Sequence, residues 1–200
     1  MIGLKVIMCD PAGKISPFND YDIKNDPFGI VGAEFSLNEF KIRWRLAKQF
    51  KKESFANVAR YLDEAKKRIG PNFVGMETNN NGADILQLFR RKYGLAYITG
   101  VSMSNNLNED TRGKGYSTDK NFMTNWFRTT LAEGMHEFPE NPTSDMKEFI
   151  EQIPKIVPVM TPNGGTTYKA YRGQHDDLFT AALHCCNIIR LFIEQQERLK

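Results

Sequence analysis

Apolar positions fall into short runs separated by turn residues, then into longer stretches of helical spacing. Leu4 to Cys9 is a short apolar run that stops at Asp10-Pro11-Ala12-Gly13, which predicts a strand ended by a turn. Phe28 to Phe35 predicts a second strand. Phe40, Ile42, Trp44 and Leu46 alternate with Lys41, Arg43 and Arg45, which predicts a third strand with one buried face and one basic face. Ser54 then offers an N-cap to a helix whose Phe55, Val58, Ala59, Leu62, Ala65 and Ile69 share one side, ended by Gly70-Pro71.

Phe73 to Glu77 predicts a buried strand, and Asn79-Asn80-Asn81-Gly82 a turn. A helix from about Ala83 to Tyr93 and a strand from Leu95 to Val101 follow. Residues 102–119 are polar and read as a loop. Helices are expected from there to about Phe138 and over Ser144 to Ile153. Ile156–Met160 and Thr166–Tyr171 flank Pro162-Asn163-Gly164-Gly165, the pattern of a hairpin. The last helix opens at His175-Asp176-Asp177 and carries Leu178, Ala181, Ala182, Cys185, Ile189 and Phe192 on one side. Three strands followed by alternating strands and helices predict an α/β fold, a mixed sheet covered by helices, with no domain boundary in 200 residues.

A chain of this length buries enough surface to fold without disulfides or structural zinc. Its 40% apolar and 26% charged residues are an ordinary globular balance. No apolar run approaches the roughly 20 residues of a membrane helix, and the start lacks the features of a signal peptide, so a cytosolic setting is the expectation. Cys9, Cys185 and Cys186 make no disulfide framework. His184 beside the last two does not complete a zinc site, because helix neighbours point about 100° apart.

The net charge of +3 is uneven: between Glu39 and Gly70, ten Lys or Arg face four acids. Such a block either touches phosphates or forms a solvated face, and charge alone leaves both open.

The acids have a more pointed arrangement. Asp10 and Glu77 close strands and Asp176-Asp177 opens a helix, the positions where α/β sheets assemble sites. Each adjoins a strongly apolar stretch, and carboxylates gathered beside a core repel one another unless a cation joins them. Several oxygen ligands suit a hard ion such as Mg²⁺ or Mn²⁺. Taken singly, each has an ordinary explanation: a turn at Asp10, a solvent-facing Glu77, a favourable helix dipole at Asp176 and Asp177.

Their conjunction resembles a known family. Cys9-Asp10-Pro11-Ala12-Gly13, then Gly75-Met76-Glu77-Thr78-Asn79-Asn80-Asn81-Gly82, then Gly173-Gln174-His175-Asp176-Asp177-Leu178-Phe179-Thr180-Ala181-Ala182 is similar to the nuclease domain of tailed-virus large terminases. The last motif is the most specific, and the order spans nearly the whole chain. Residues 14–25 depart from the pattern as an insertion, and residues 158–165 are richer in proline and glycine than usual.

The resemblance implies an RNase H-like fold of the resolvase type and metal-dependent cleavage of double-stranded DNA. It implies Asp10, Glu77 and Asp177 as catalytic carboxylates, with Asp176 as a fourth acid beside two Mg²⁺ or Mn²⁺ ions and Asp10 bridging them. His175 is expected either to orient a water or ligand or to serve structure. DNA phosphates are expected at Arg112, Lys114 and Lys120, with the basic strand Lys41, Arg43 and Arg45 a further candidate. Implied partners are an ATPase domain, a small terminase subunit and a portal, with no membrane, in the host cytoplasm. No Gly-x-x-x-x-Gly-Lys-Ser/Thr occurs, so no ATP motor is expected within the chain, as in an excised domain or the product of a split gene. Two other readings stand beside this one: a stand-alone junction resolvase or other RNase H-like nuclease, and a catalytically silent nucleic-acid-binding module on the same fold.

Overall fold

The computed structural model describes residues 3–11, 27–104, 117–160, 166–171 and 175–199. Three strands come first: β1 (Gly3–Asp10), β2 (Phe28–Ser36) and β3 (Lys41–Phe50). Helix α1 (Phe55–Ile69), strand β4 (Phe73–Glu77), helix α2 (Gly82–Lys92) and strands β5 (Thr99–Ser104) and β6 (Ser117–Asp119) follow. Helix α3 (Lys120–Ala132), the two-residue β7 (His136–Glu137), α4 (Ser144–Gln152), β8 (Ile156–Met160), β9 (Thr166–Ala170) and α5 (Asp177–Arg198) complete the order.

Seven strands form one mixed sheet in the order β6-β5-β4-β1-β2-β3-β7, and β8 and β9 form a separate antiparallel pair. β1, β2 and β3 are antiparallel, whereas β4 runs parallel to β1. Side chains of β1 alternate between two cores. Val6 and Met8 face α3, α4 and α5, while Ile7 and Cys9 face α1 and α2. Helices therefore cover both faces, which is why the central strands read as continuous apolar runs. This is the RNase H-like arrangement, with a mixed sheet flanked by helices.

Where the elements depart from expectation, the reason is local. In β3 the pairing with β2 shifts at Gly32/Ala33, leaving Arg45 as an extra residue. Such a bulge reverses the alternation beyond it. Ile42 and Trp44 consequently face the α5 layer, but Leu46 faces α1 and α2, and Phe40 lies exposed before the strand. Leu95 and Ile98 are buried as the pattern implies, yet they belong to a turn under α2, and β5 begins only at Thr99. Helix α3 ends six residues earlier than expected. Gly134, at φ +70°, turns the chain back so that His136 and Glu137 pair with the edge of β3.

Candidate active site

The sheet register brings the acids together. β1 and β4 run parallel with Cys9 beside Met76, so Asp10 and Glu77 leave adjacent strands side by side at their C-terminal ends. α5 packs across β1 and β2 with its first turn at that same edge. Asp10 lies opposite Gly29 on β2, and Gly29 opposite Gln49 on β3. A Cβ on Gly29 would stand 2.8 Å from the Asp177 carbonyl oxygen, so only glycine lets the helix start rest on the sheet there. Gly82 plays a matching part in the turn after β4, where a Cβ would stand 2.1 Å from the Glu77 carbonyl oxygen.

Three of the four carboxylates have polar neighbours that hold them. Asn79 Nδ2 donates to Glu77 Oε1 at 2.7 Å and also to the Met103 carbonyl, tying Glu77 to β5. Gln49 Nε2 donates to Asp177 Oδ2 at 3.4 Å, and His175 Nδ1 lies 3.9 Å from the same oxygen. Lys120 Nζ, at the start of α3, is 3.2 Å from Asp176 Oδ2. Asp176 stands at the N-cap of α5, but its side chain makes no cap hydrogen bond. Instead the buried Gln152 of α4 supplies Oε1 to the N–H of Phe179 at 3.1 Å.

Electrostatics couple the acids. Burial raises the Asp10 carboxyl well above its usual range, and the charges of Glu77, Asp177 and Asp176 raise it further against the opposing pull of Lys120. Burial also pushes Glu77 upward, but His184, Lys120 and a hydrogen bond from Asp10 outweigh it and hold Glu77 below the usual range.

Whether a metal fits depends on the donor atoms gathered here. Among the described residues, no three His, Cys, Asp or Glu side chains are already drawn to metal-ligating spacing. The donor set nonetheless suits a hard divalent ion: four carboxylates on three converging elements, and a buried Glu77 Oε2 with no hydrogen-bond partner.

Comparison with known proteins decides the kinship. Residues 7–187 match the family described as the terminase RNaseH-like domain. The chain belongs to that family. Its fold is that of large terminase nuclease domains. The large terminase nuclease from thermophilic phage G20c with bound magnesium superposes with a TM-score of 0.60 at 13% identity, covering 91% of this chain and 79% of that one. A mutant nuclease domain of the large terminase subunit of bacterial virus Sf6, with manganese and β-thujaplicinol, gives 0.61 at 12% identity, covering 92% and 87%. The P22 large terminase nuclease domain gives 0.59 at 10%, covering 94% and 82%. Such identities carry the fold alone. No curated protein matches the chain at a significant level.

In this terminase domain the predicted basic residues divide. Lys120 stands among the carboxylates. Lys41, Arg43 and Arg45 do not join it. Lys41 lies opposite Ser36, itself opposite Gly3, so it sits seven strand residues from the level of Asp10, about 23 Å away. Lys41 Nζ donates to the Gly134 carbonyl, Arg43 pairs with Glu39 and Glu137, and Arg45 pairs with Glu34. Arg43 and Arg45 are therefore paired with neighbouring acids; Lys41 and Arg43 lie toward the far end of the sheet and Arg45 near its middle, between the levels of Val6 and Ile7. Arg112 and Lys114 lie outside the described residues.

Two residues beside the acids escape a sequence reading. Gln49 follows no motif and reaches Asp177 only through the β1-β2-β3 register. His184, two helical turns after Asp177 and on its side of α5, places Nε2 3.2 Å from Glu77 Oε2. The spacing of seven was visible in the chain, but its partner lies 107 residues away. Among the described residues, no helix is long and apolar enough to cross a membrane.

Proposed function

We propose that this terminase domain is a metal-dependent endonuclease that cuts double-stranded DNA as the nuclease part of a viral packaging machine. The observation that carries this reading is the convergence of Asp10, Glu77, Asp176 and Asp177 from β1, β4 and the start of α5. The magnesium bound to the G20c nuclease and the manganese bound to the Sf6 nuclease support Mg²⁺ or Mn²⁺ as the ion.

In this proposal Asp10, Glu77 and Asp177 are the catalytic carboxylates that would hold the ions, with Asp176 beside them. When bound, the ions supply Lewis acidity to the attacking water and to the departing 3′ oxygen. The residues of the chain do the positioning. Asn79 fixes one oxygen of Glu77, and Gln49 orients Asp177. Lys120, paired with Asp176, offers its ammonium to the scissile phosphate, with Arg112 and Lys114 as further phosphate contacts. His175, 3.9 Å from Asp177, would either orient a water or serve the structure of the helix start. Lys41, Arg43 and Arg45 would reach a duplex only well away from the cut. The expected partners are the ATPase domain, the small subunit and the portal, in the host cytoplasm.

The test is plasmid cleavage with Mg²⁺ or Mn²⁺, alongside a synthetic four-way junction at equal concentration. Nicking and linearisation of plasmid, abolished in Asp10→Asn, Glu77→Gln and Asp177→Asn with unchanged circular dichroism, supports the reading. Symmetric junction cleavage with plasmid intact would replace it with a junction resolvase, and no cleavage of either would leave a binding module.

A further inference from the structure

We infer that His184 is a positioning residue for Glu77, holding the second oxygen of that carboxylate while Asn79 holds the first. The inference rests on the metal-dependent reading of the site and assigns a residue outside the acidic motifs to it.

His184 lies inside α5 and is 1% exposed. Seven residues separate it from Asp177, which is 20° short of two full turns, so both side chains leave the same side of the helix. From there Nε2 lies 3.2 Å from Glu77 Oε2. The contact is close but not aligned as a hydrogen bond, and neither atom has another hydrogen-bond partner. The other ring nitrogen, Nδ1, has none either. A buried imidazole with both nitrogens unsatisfied costs stability that a leucine of similar size would not. On the same helix Ala181, Leu183, Cys185 and Ile188 are buried, together with the polar Thr180 and Asn187 four residues before and three after His184. Neither ring nitrogen bonds to those neighbours, and the charged group that the ring reaches is Glu77.

Glu77 is otherwise held by Asn79 and by the neighbouring Asp10, and its Oε2 has no aligned donor. Its Oε1 accepts from Asn79 Nδ2 at 2.7 Å, which leaves rotation about the end of the side chain open. A donor at Nε2 removes that freedom and presents one lone-pair direction of the carboxylate to the neighbouring acids. Partners of this kind, one step behind a ligating carboxylate, change metal affinity by about 10–100-fold when removed. His184 also links the helix that carries Asp176 and Asp177 to the strand that carries Glu77, so both halves of the site move as one.

The experiment is calorimetric titration of the purified chain with Mn²⁺ alone, together with melting temperatures in the absence of metal. Three variants are compared: His184→Leu, which removes the nitrogens; His184→Gln, whose amide nitrogen reaches the Nε2 position; and His184→Asn, whose amide is too short. We expect Leu and Asn to weaken Mn²⁺ binding by about 10–100-fold and Gln to stay within about threefold of wild type. The metal-free melting temperature of His184→Leu should be no lower than that of wild type, because two orphaned buried atoms are gone. A purely structural histidine predicts the reverse: lowered metal-free stability and unchanged Mn²⁺ affinity. If the leucine variant does not fold, the Gln and Asn pair carries the same comparison. Equal Mn²⁺ binding by wild type and His184→Leu, or no rescue by Gln, overturns the positioning role alone. Absence of Mn²⁺ binding by wild type overturns the metal-dependent reading with it.

Discussion

Gly29 on β2 rests directly against the backbone of Asp177: a Cβ there would lie 2.8 Å from the Asp177 carbonyl oxygen and 2.9 Å from its carbonyl carbon. Both atoms belong to rigid backbone, so neither can yield as the end of a flexible side chain would. Gly29→Ala should push the first turn of α5 off the sheet beside Asp10. Overpacking of this kind costs about 1–3 kcal/mol. The stabilisation by Mg²⁺ should fall as well, although no carboxylate has been removed. Thermal melts with and without Mg²⁺ check this, and an alanine variant with the full Mg²⁺ shift would show that the helix start need not sit there.

Asp10→Asn should raise the melting temperature of the metal-free protein at neutral pH and abolish the gain on adding Mg²⁺. The folded Asp10 holds its proton more tightly than the unfolded chain does. The metal-free fold therefore loses stability as pH rises from the ordinary carboxylate range through the raised value, and asparagine removes that loss. With Mg²⁺, binding to the native state alone should stabilise wild type. Melts across pH 4 to 8 decide it: a variant no more stable than wild type without metal would mean that the acids do not strain the fold.

His136 predicts a separate acid sensitivity. It is buried between Trp44 and Phe127, and burial lowers its pKa to about 4 from 6.5. Trp44 Nε1 donates to Nδ1 at 3.2 Å, so the ring proton sits on Nε2, 2.8 Å from Thr130 Oγ1. The unfolded chain binds a proton between pH 6.5 and about 4 while the folded one does not. Stability should thus fall through that window by up to about 3 kcal/mol and no further from this residue below it. Urea unfolding of wild type and His136→Gln at pH 7, 5.5 and 4.5 isolates the term. Parallel losses in the two proteins would place the acid sensitivity elsewhere.

Lys120 should dominate over the basic strand in binding duplex DNA. Lys120→Ala should flatten the slope of log affinity against log salt by about 0.9, the value for one lost phosphate contact. Lys41→Ala and Arg43→Ala should leave slope and affinity unchanged, because those side chains are engaged with Gly134, Glu39 and Glu137 at the far end of the sheet. Fluorescence anisotropy across a salt series checks both halves; a flatter slope for the strand variants would put the duplex along that face.

The sequence alone determined the acids and most of the elements that carry them. Asp10, Glu77 and Asp177 are legible because each marks the boundary of a strongly periodic apolar segment, and β4 and α1 fall where the pattern puts them. Such features are local: a strand end, a cap and a helical stripe depend on residues within a few positions. The tertiary structure decided the remainder. The Arg45 bulge, invisible in a run that alternates without interruption, depends on how β3 pairs with Gly32 and Ala33. The two-residue β7 has too little sequence to signal itself and forms because Gly134 returns the chain to an open sheet edge. Gly29 is one glycine among fifteen until α5 docks on it. Lys120 meets Asp176 across 56 residues and His184 meets Glu77 across 107, and no local period encodes such pairings. They exist because a parallel crossover sets β4 beside β1 and a helix far along the chain closes over both, so their partners are chosen by packing rather than by spacing.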